Sequence, residues 1–226
     1  KRPAVVRLLI ADFLIGTGPA ITGALFFFFF ERVKGFEKGQ ASLLLLLYFV
    51  GGLVGAPIWN WLAQKISKHR ALAVSCVAYA AMTVGILAIP QGNMAAGATL
   101  MFLIGIPYAA GAFLLRAIMA DVSDQERLEG GEDRTALLYA ILAGTVKIGS
   151  ATAIFVTFPA LQMMGFNPAP NGASEGLGAL AFTYTAIPAA MALVGGWLIM
   201  RFPLTSEKHA EIRTALAERD VRVAGE

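Results

Sequence analysis

Apolar residues in this chain come in runs of about twenty, the length that crosses a hydrocarbon core about 30 Å thick, and polar residues gather in the gaps between them. Six such runs stand out: Ala4 to Phe30, Ser42 to Leu62, Ala71 to Ile89, Ala95 to Met119, Thr135 to Met164, and Leu177 to Phe202. None shows the period-two alternation of a strand, and a backbone in lipid must satisfy its own hydrogen bonds, so each is expected to be a helix. The pattern predicts an all-α membrane protein. A six-helix transmembrane bundle covers residues 1–204, and the charged remainder, 205–226, reads as a short cytoplasmic helix that frays. An even number of crossings puts both termini on one side.

Composition agrees: 57% of the 226 residues are hydrophobic and 15% are charged, against roughly a quarter charged in a soluble domain. The basic residues then orient the bundle. With a cytoplasmic N-terminus, the inside holds Lys1, Arg2 and Arg7, then Lys65, Lys68 and Arg70, then Arg116, Arg127 and Arg134, and five more between Arg201 and Arg222. The outside holds only Arg32, Lys34 and Lys38. The positive-inside rule therefore places both termini in the cytoplasm, with the bundle integral to the cell (inner) membrane. A net charge of +3 spread over loops and ends makes no nucleic-acid-binding face. The lone Cys76, with only His69 and His209, builds neither a disulfide framework nor a metal site. Without a nucleophile–base pair, an HExxH motif or paired intramembrane aspartates, the chain does not read as an enzyme. The first apolar run is too long for a signal-peptide core and carries Asp12, and the chain opens on Lys1, so a piece of a longer protein or a processed product is expected.

The chemistry concentrates between Met119 and Lys147. Six acids (Asp121, Asp124, Glu126, Glu129, Glu132, Asp133) and two arginines (Arg127, Arg134) occupy the gap between the fourth and fifth spans, interrupted by Gly130 and Gly131. Glu132 and Asp133 are placed to complement the N-terminal dipole of the next helix. Asp121, Asp124 and Arg127, three apart, can share one helical face and form a cytoplasmic ion-pair gate with Arg116 or Arg134. Lys147 lies roughly 20 Å along the fifth helix, deep in the bilayer, where a charge costs roughly 2.5 to 3.5 kcal/mol. Its neighbours at helical spacing, Ala143, Gly144, Ser150 and Ala151, are small, which suits a cavity wall or close packing. Asp12, about a dozen ångströms into the first helix, is the other intramembrane charge, within reach of Arg7 or Arg116. Gly16, Thr17, Gly18, Pro19 and Gly23 could break that helix beside a site or serve close packing. Phe26 to Phe30 read as lipid-facing or interfacial bulk, and Trp59 and Trp61 as an interfacial belt.

Two motifs together resemble the glycoside-pentoside-hexuronide cation symporters. Pro57-Ile58-Trp59, followed by Leu62-Ala63-Gln64-Lys65 and Lys68-His69-Arg70, is similar to the loop after the second helix of that family's C-terminal half. Met119-Ala120-Asp121-Val122-Ser123-Asp124, continuing through Glu129-Gly130-Gly131-Glu132-Asp133-Arg134 to Lys147, resembles its signature between the tenth and eleventh helices. The resemblance implies a major facilitator fold of two six-helix bundles, of which this chain is the C-terminal one and the N-terminal bundle its partner. It also implies symport of a small polar solute such as a sugar by alternating access, with the coupling cation, a sodium ion or proton, held mainly on the absent N-terminal half. The family's cavity lysine matches Lys147. Two positions depart from the melibiose permease branch: a cavity aromatic is Ala112 here, and a cavity threonine is Ala143. Another solute, such as a lysolipid, stays open as an alternative, as does a self-contained six-helix homodimeric channel or carrier.

Overall fold

A computed structural model describes residues 3–130, 134–169, 175–202 and 206–224. Seven α-helices follow in order: α1 (Pro3–Phe28), α2 (Lys38–Ile66), α3 (Lys68–Gly85), α4 (Met94–Gly130), α5 (Thr135–Met163), α6 (Leu177–Met200) and α7 (Ser206–Ala224). A π-helical turn, Phe29–Val33, extends α1, and a 3-10 turn, Ile86–Ala88, extends α3. Six of these helices are long and apolar enough to cross a membrane: Ala4–Val33, Lys38–Ile66, Lys68–Ala88, Met94–Gly130, Thr135–Met163 and Leu177–Met200. No strand occurs among the described residues. The six expected spans are all present, but the fourth does not stop at Met119. It continues as helix through the acidic segment to Gly130, so the expected loop is instead a largely buried to half-buried extension of α4. Glu132 and Asp133, expected at the N-terminal dipole of α5, lie outside the described residues.

The packing has an internal two-fold logic. α1 packs on α5 and α6, α4 packs on α2 and α3, α3 meets α6, and α1 crosses α4. Exchanging the first three helices with the last three maps this pattern onto itself. Because each group has an odd number of crossings, the two groups run oppositely through the membrane, the inverted-repeat arrangement of secondary transporters. The closest approach is α2 on α4. A Cβ on Gly51 would stand 2.0 Å from the Phe102 carbonyl oxygen, and one on Gly105 would stand 2.0 Å from the Tyr48 carbonyl oxygen. Only backbones without side chains fit there, which is how membrane helices gain van der Waals contact. Trp59 closes the same seam, donating from Nε1 to the Ile106 carbonyl at 2.8 Å. It is buried, not interfacial, whereas Trp61 is exposed with the Lys65 ammonium 4.0 Å from its ring centroid.

The two ends of the bundle are tied by cations. At one end Arg7 donates to the Arg201 carbonyl at 2.5 Å, so the start of α1 meets the end of α6. α7 docks there on α4 with Ile212 and Leu216 buried, and Arg219 donates to the Arg127 carbonyl at 3.0 Å. The tail is thus a packed amphipathic helix. At the opposite end Arg32 donates to the carbonyls of Asn167 (2.5 Å), Pro168 (3.1 Å) and Ala169 (2.5 Å). Beside it the buried Lys34 donates to Leu87 and Ile89 carbonyls at 2.9 and 2.8 Å. Burial lowers the pKa of Lys34 below the usual lysine value. Between these ends the phenylalanine run is core, not lipid-facing bulk: Phe26, Phe29 and Phe30 are buried, and Phe29 stacks on Tyr184 with centroids 4.1 Å apart. The π-helical turn rotates the last of these rings inward, and a sequence pattern has no mark for that.

Candidate functional site

A cavity of about 380 Å³ lies among α1, α3, α4 and α5, with Ala192 of α6 at its margin. Small residues hollow it out. Gly16 has no neighbour within 4 Å of where its Cβ would be, and Gly111 meets only Ile15. Ala112 and Ala143, the two positions that the resemblance singled out, both stand on this wall, where their small side chains leave space. α1 does not break at its Gly-Thr-Gly-Pro stretch. It runs as unbroken helix through Pro19, and Gly18 serves close packing, its Cβ position 3.3 Å from the Pro188 backbone. Gly149 likewise lets α5 close on α1, its Cβ position 2.5 Å from Thr17 Oγ1.

The cavity has a charged end and an apolar end. Asp12, Arg116 and Tyr139 line the side nearer the chain ends, and Tyr139 donates to the Arg116 carbonyl at 3.0 Å. Asp12 is buried, 5% exposed, and its Oδ2 has no hydrogen-bond partner. The expected pairing with Arg7 or Arg116 is not made. Arg7 is held by Arg201, and Arg116 donates to the carbonyl of Ala112 one turn back on its own helix. Further along, Pro19, Tyr79 and Tyr108 also line a second, apolar cavity of about 100 Å³ that includes Phe26, Leu45, Met101 and Ile104. The two spaces therefore share a wall, polar toward one end and apolar toward the other.

Lys147 is exposed and stands outside the lining of either cavity. Its neighbours on α5 do line the larger one: Tyr139, Ala143, Val146 and Ser150, whereas Gly144 does not. At 100° per residue Lys147 is roughly 80° from the middle of that face, at the rim of the cavity wall. It makes no hydrogen bond or ion pair with the described residues. The expected cavity lysine is thus a rim lysine on a face that this bundle leaves uncovered.

The charge cluster at the end of α4 engages a partner that sequence spacing missed. Asp121, 5% exposed, accepts from Lys68 Nζ at 2.6 and 2.8 Å. This pins the α2–α3 connection onto α4. Arg116, expected in the gate, belongs to the cavity instead, because it is more than a turn closer to the membrane centre. Asp124 and Arg127 continue the face that Asp121 begins and are half-buried, and both, like Arg134, take part in further polar or electrostatic contacts. Ser67 holds the α2–α3 connection in a tight turn, with φ at 88°, and its Oγ accepts the Arg70 amide at 3.4 Å to cap α3. Sequence spacing carries no signal for the Lys68–Asp121 pair, whose partners are 53 residues apart.

Comparison with known proteins places this geometry. The chain is 24% identical over 205 residues to an uncharacterized symporter from Synechocystis sp., covering 88% of this chain and 38% of that protein. It is 24% identical over 216 residues to a sphingosine-1-phosphate transporter from Xenopus tropicalis, covering 93% of this chain and 41% of that protein. It is 29% identical over 129 residues to sugar phosphate exchanger 3 of Bos taurus, covering 55% of this chain and 25% of that protein. The chain thus spans well under half the length of these relatives. Residues 1–206 match the family model described as MFS/sugar transport protein, and the protein with its six apolar helices and central cavity belongs to that family of membrane transporters.

Proposed function

We propose that the chain is the C-terminal six-helix half of a cation-coupled secondary transporter that moves a small polar solute, such as a sugar, by alternating access. The observation that carries this reading is the uncovered face: a cavity of about 380 Å³ on one side of α5, with the exposed Lys147 of the same helix in mid-span outside its lining. A lysine left against lipid there costs roughly 2.5 to 3.5 kcal/mol. A second bundle closing over α5 removes that cost and supplies the other wall of a midplane site. On this reading the termini are cytoplasmic, and Lys68–Asp121, with Asp124, Arg127 and Arg134, holds the cytoplasmic side of the gate. The coupling ion is a sodium ion or a proton. The test is to reconstitute the native gene product in liposomes and to measure solute uptake under an imposed sodium or proton gradient, with the 226-residue chain alone in parallel. Gradient-driven uptake is expected from the former only. Uptake by the isolated chain points to a self-contained carrier.

A second reading has its own observation. The shared wall at Pro19, Tyr79 and Tyr108 joins a charged cavity end to an apolar slot, a shape suited to an amphipathic solute with an ionic head and a hydrocarbon tail. One of the relatives is a sphingosine-1-phosphate transporter. In the same liposomes, competition by a lysolipid and not by sugars selects this reading.

A further inference from the structure

We propose that the carboxyl group of Asp12 is a proton-exchange site within this bundle, releasing its proton when the Arg116 guanidinium closes on it across the cavity. Its use in coupling rests on the transporter reading above; the proton site itself rests on geometry. Asp12 is 5% exposed and lines the larger cavity, yet its Oδ2 accepts no hydrogen bond. A carboxylate with a bare oxygen in such a place is costly, and a carboxylic acid is the state that tolerates it. The titratable groups that line the same cavity are few. α4 presents Arg116 and Tyr108, α3 presents Cys76 and Tyr79, α5 presents Tyr139, and the α6 residue on the wall is Ala192. Asp12 is thus the one acid and Arg116 the one cation among the described lining residues.

A metal cation fits poorly. Hard cations take about six oxygen ligands, and here a single carboxylate shares its space with an arginine. A proton needs only the one group. With Arg116 turned to the Ala112 carbonyl, as here, nothing donates to Asp12 Oδ2, an arrangement that favours the protonated acid. A rotation of the Arg116 side chain, or a narrowing between α1 and α4, brings the guanidinium onto the carboxyl. The O–H bond then breaks, its proton passes to water in the cavity, and a neutral ion pair remains. Solute or helix motion that separates the two groups reverses the step.

Infrared difference spectroscopy of the reconstituted native gene product reads this directly, independently of any solute. The expected result is a protonated-carboxyl band, assigned to aspartate by isotope labelling, that is lost on alkalinisation, returns on acidification, is missing from Asp12→Asn and is shifted in Asp12→Glu. In Arg116→Gln the band should persist to higher pH. If no aspartic acid band responds to pH in the labelled wild-type protein, or Asp12→Asn keeps it, the site is overturned. An unchanged pH course in Arg116→Gln overturns the switch. A protein that shows the band and moves no solute would leave the site standing and sink the transporter reading, whereas gradient-driven transport without the band would sink the site alone.

Discussion

Breaking the Lys68–Asp121 pair tests whether the α2–α3 connection is locked to the end of α4. At 2.6 Å, two unit charges in an effective dielectric near 20 attract by about 6 kcal/mol before desolvation. The Asp121 side chain is only 8% exposed, so much of that gain offsets the cost of removing it from water, and Lys68, 37% exposed, is partly screened. A net coupling of about 1.5 kcal/mol is the expected remainder, close to a tenfold change in an equilibrium constant. Removing Lys68 alone leaves a buried carboxylate without its lysine, so Lys68→Gln should cost more than that, about 2 to 3 kcal/mol. Asp121→Asn should cost at least as much, because Asp121 makes further contacts. The assay is a double-mutant cycle on the reconstituted protein, with Lys68→Gln, Asp121→Asn and the double variant unfolded by titration with sodium dodecyl sulfate. A coupling energy below about 0.3 kcal/mol, the usual limit of additivity for independent sites, refutes the lock.

Other consequences follow from the packing. Gly105→Ala puts a methyl group 2.0 Å from the Tyr48 carbonyl oxygen and should destabilise the α2–α4 seam by about 3 kcal/mol, while Gly23→Ala, with nothing within 4 Å, should be neutral or stabilising in the same detergent titration. Lys34→Met strips two donors from the Leu87 and Ile89 carbonyls and should cost about 2 kcal/mol locally, seen as faster hydrogen exchange confined to the α3–α4 connection. Leu216→Asp should undock α7, exposing it to limited proteolysis while the six spans remain intact, and unchanged protection would show that α7 is held by something other than its apolar face.

What the sequence made legible was what depends on runs and totals. Six spans, their limits to within a few residues apart from the end of the fourth, and the segregation of Arg32 and Lys34 from the other cations all follow from hydropathy and charge along one dimension. The wall positions Ala112 and Ala143 were reached through motif resemblance. What stayed hidden depends on rotation about a helix axis in a uniformly apolar stretch. Phe26 to Phe30 contain no polar residue to mark a lipid side, and the π-helical turn that includes Phe29 and Phe30 leaves no composition signal. Lys147 and Ser150 are three residues apart, yet only the second lines the cavity. The acidic segment after Met119 reads as loop because it is charged, but charges on an α4 extension outside the membrane are no bar to a helix. Lys68–Asp121 was missed because pairing was sought within one helix, whereas its partners are 53 residues apart.

The central claim is that the rim of this cavity meets water and a second bundle, and cysteine accessibility tests it without knowledge of the solute. In the native gene product with Cys76 replaced by Ala, single variants Ala143→Cys, Lys147→Cys and Ser150→Cys are treated with a membrane-impermeant thiol reagent from each side, and Phe155→Cys, 80% exposed on the same helix, serves as the lipid-facing control. The account predicts that the first three react from at least one side and that Phe155→Cys does not. A Lys147→Cys variant as inert from both sides as Phe155→Cys would contradict it.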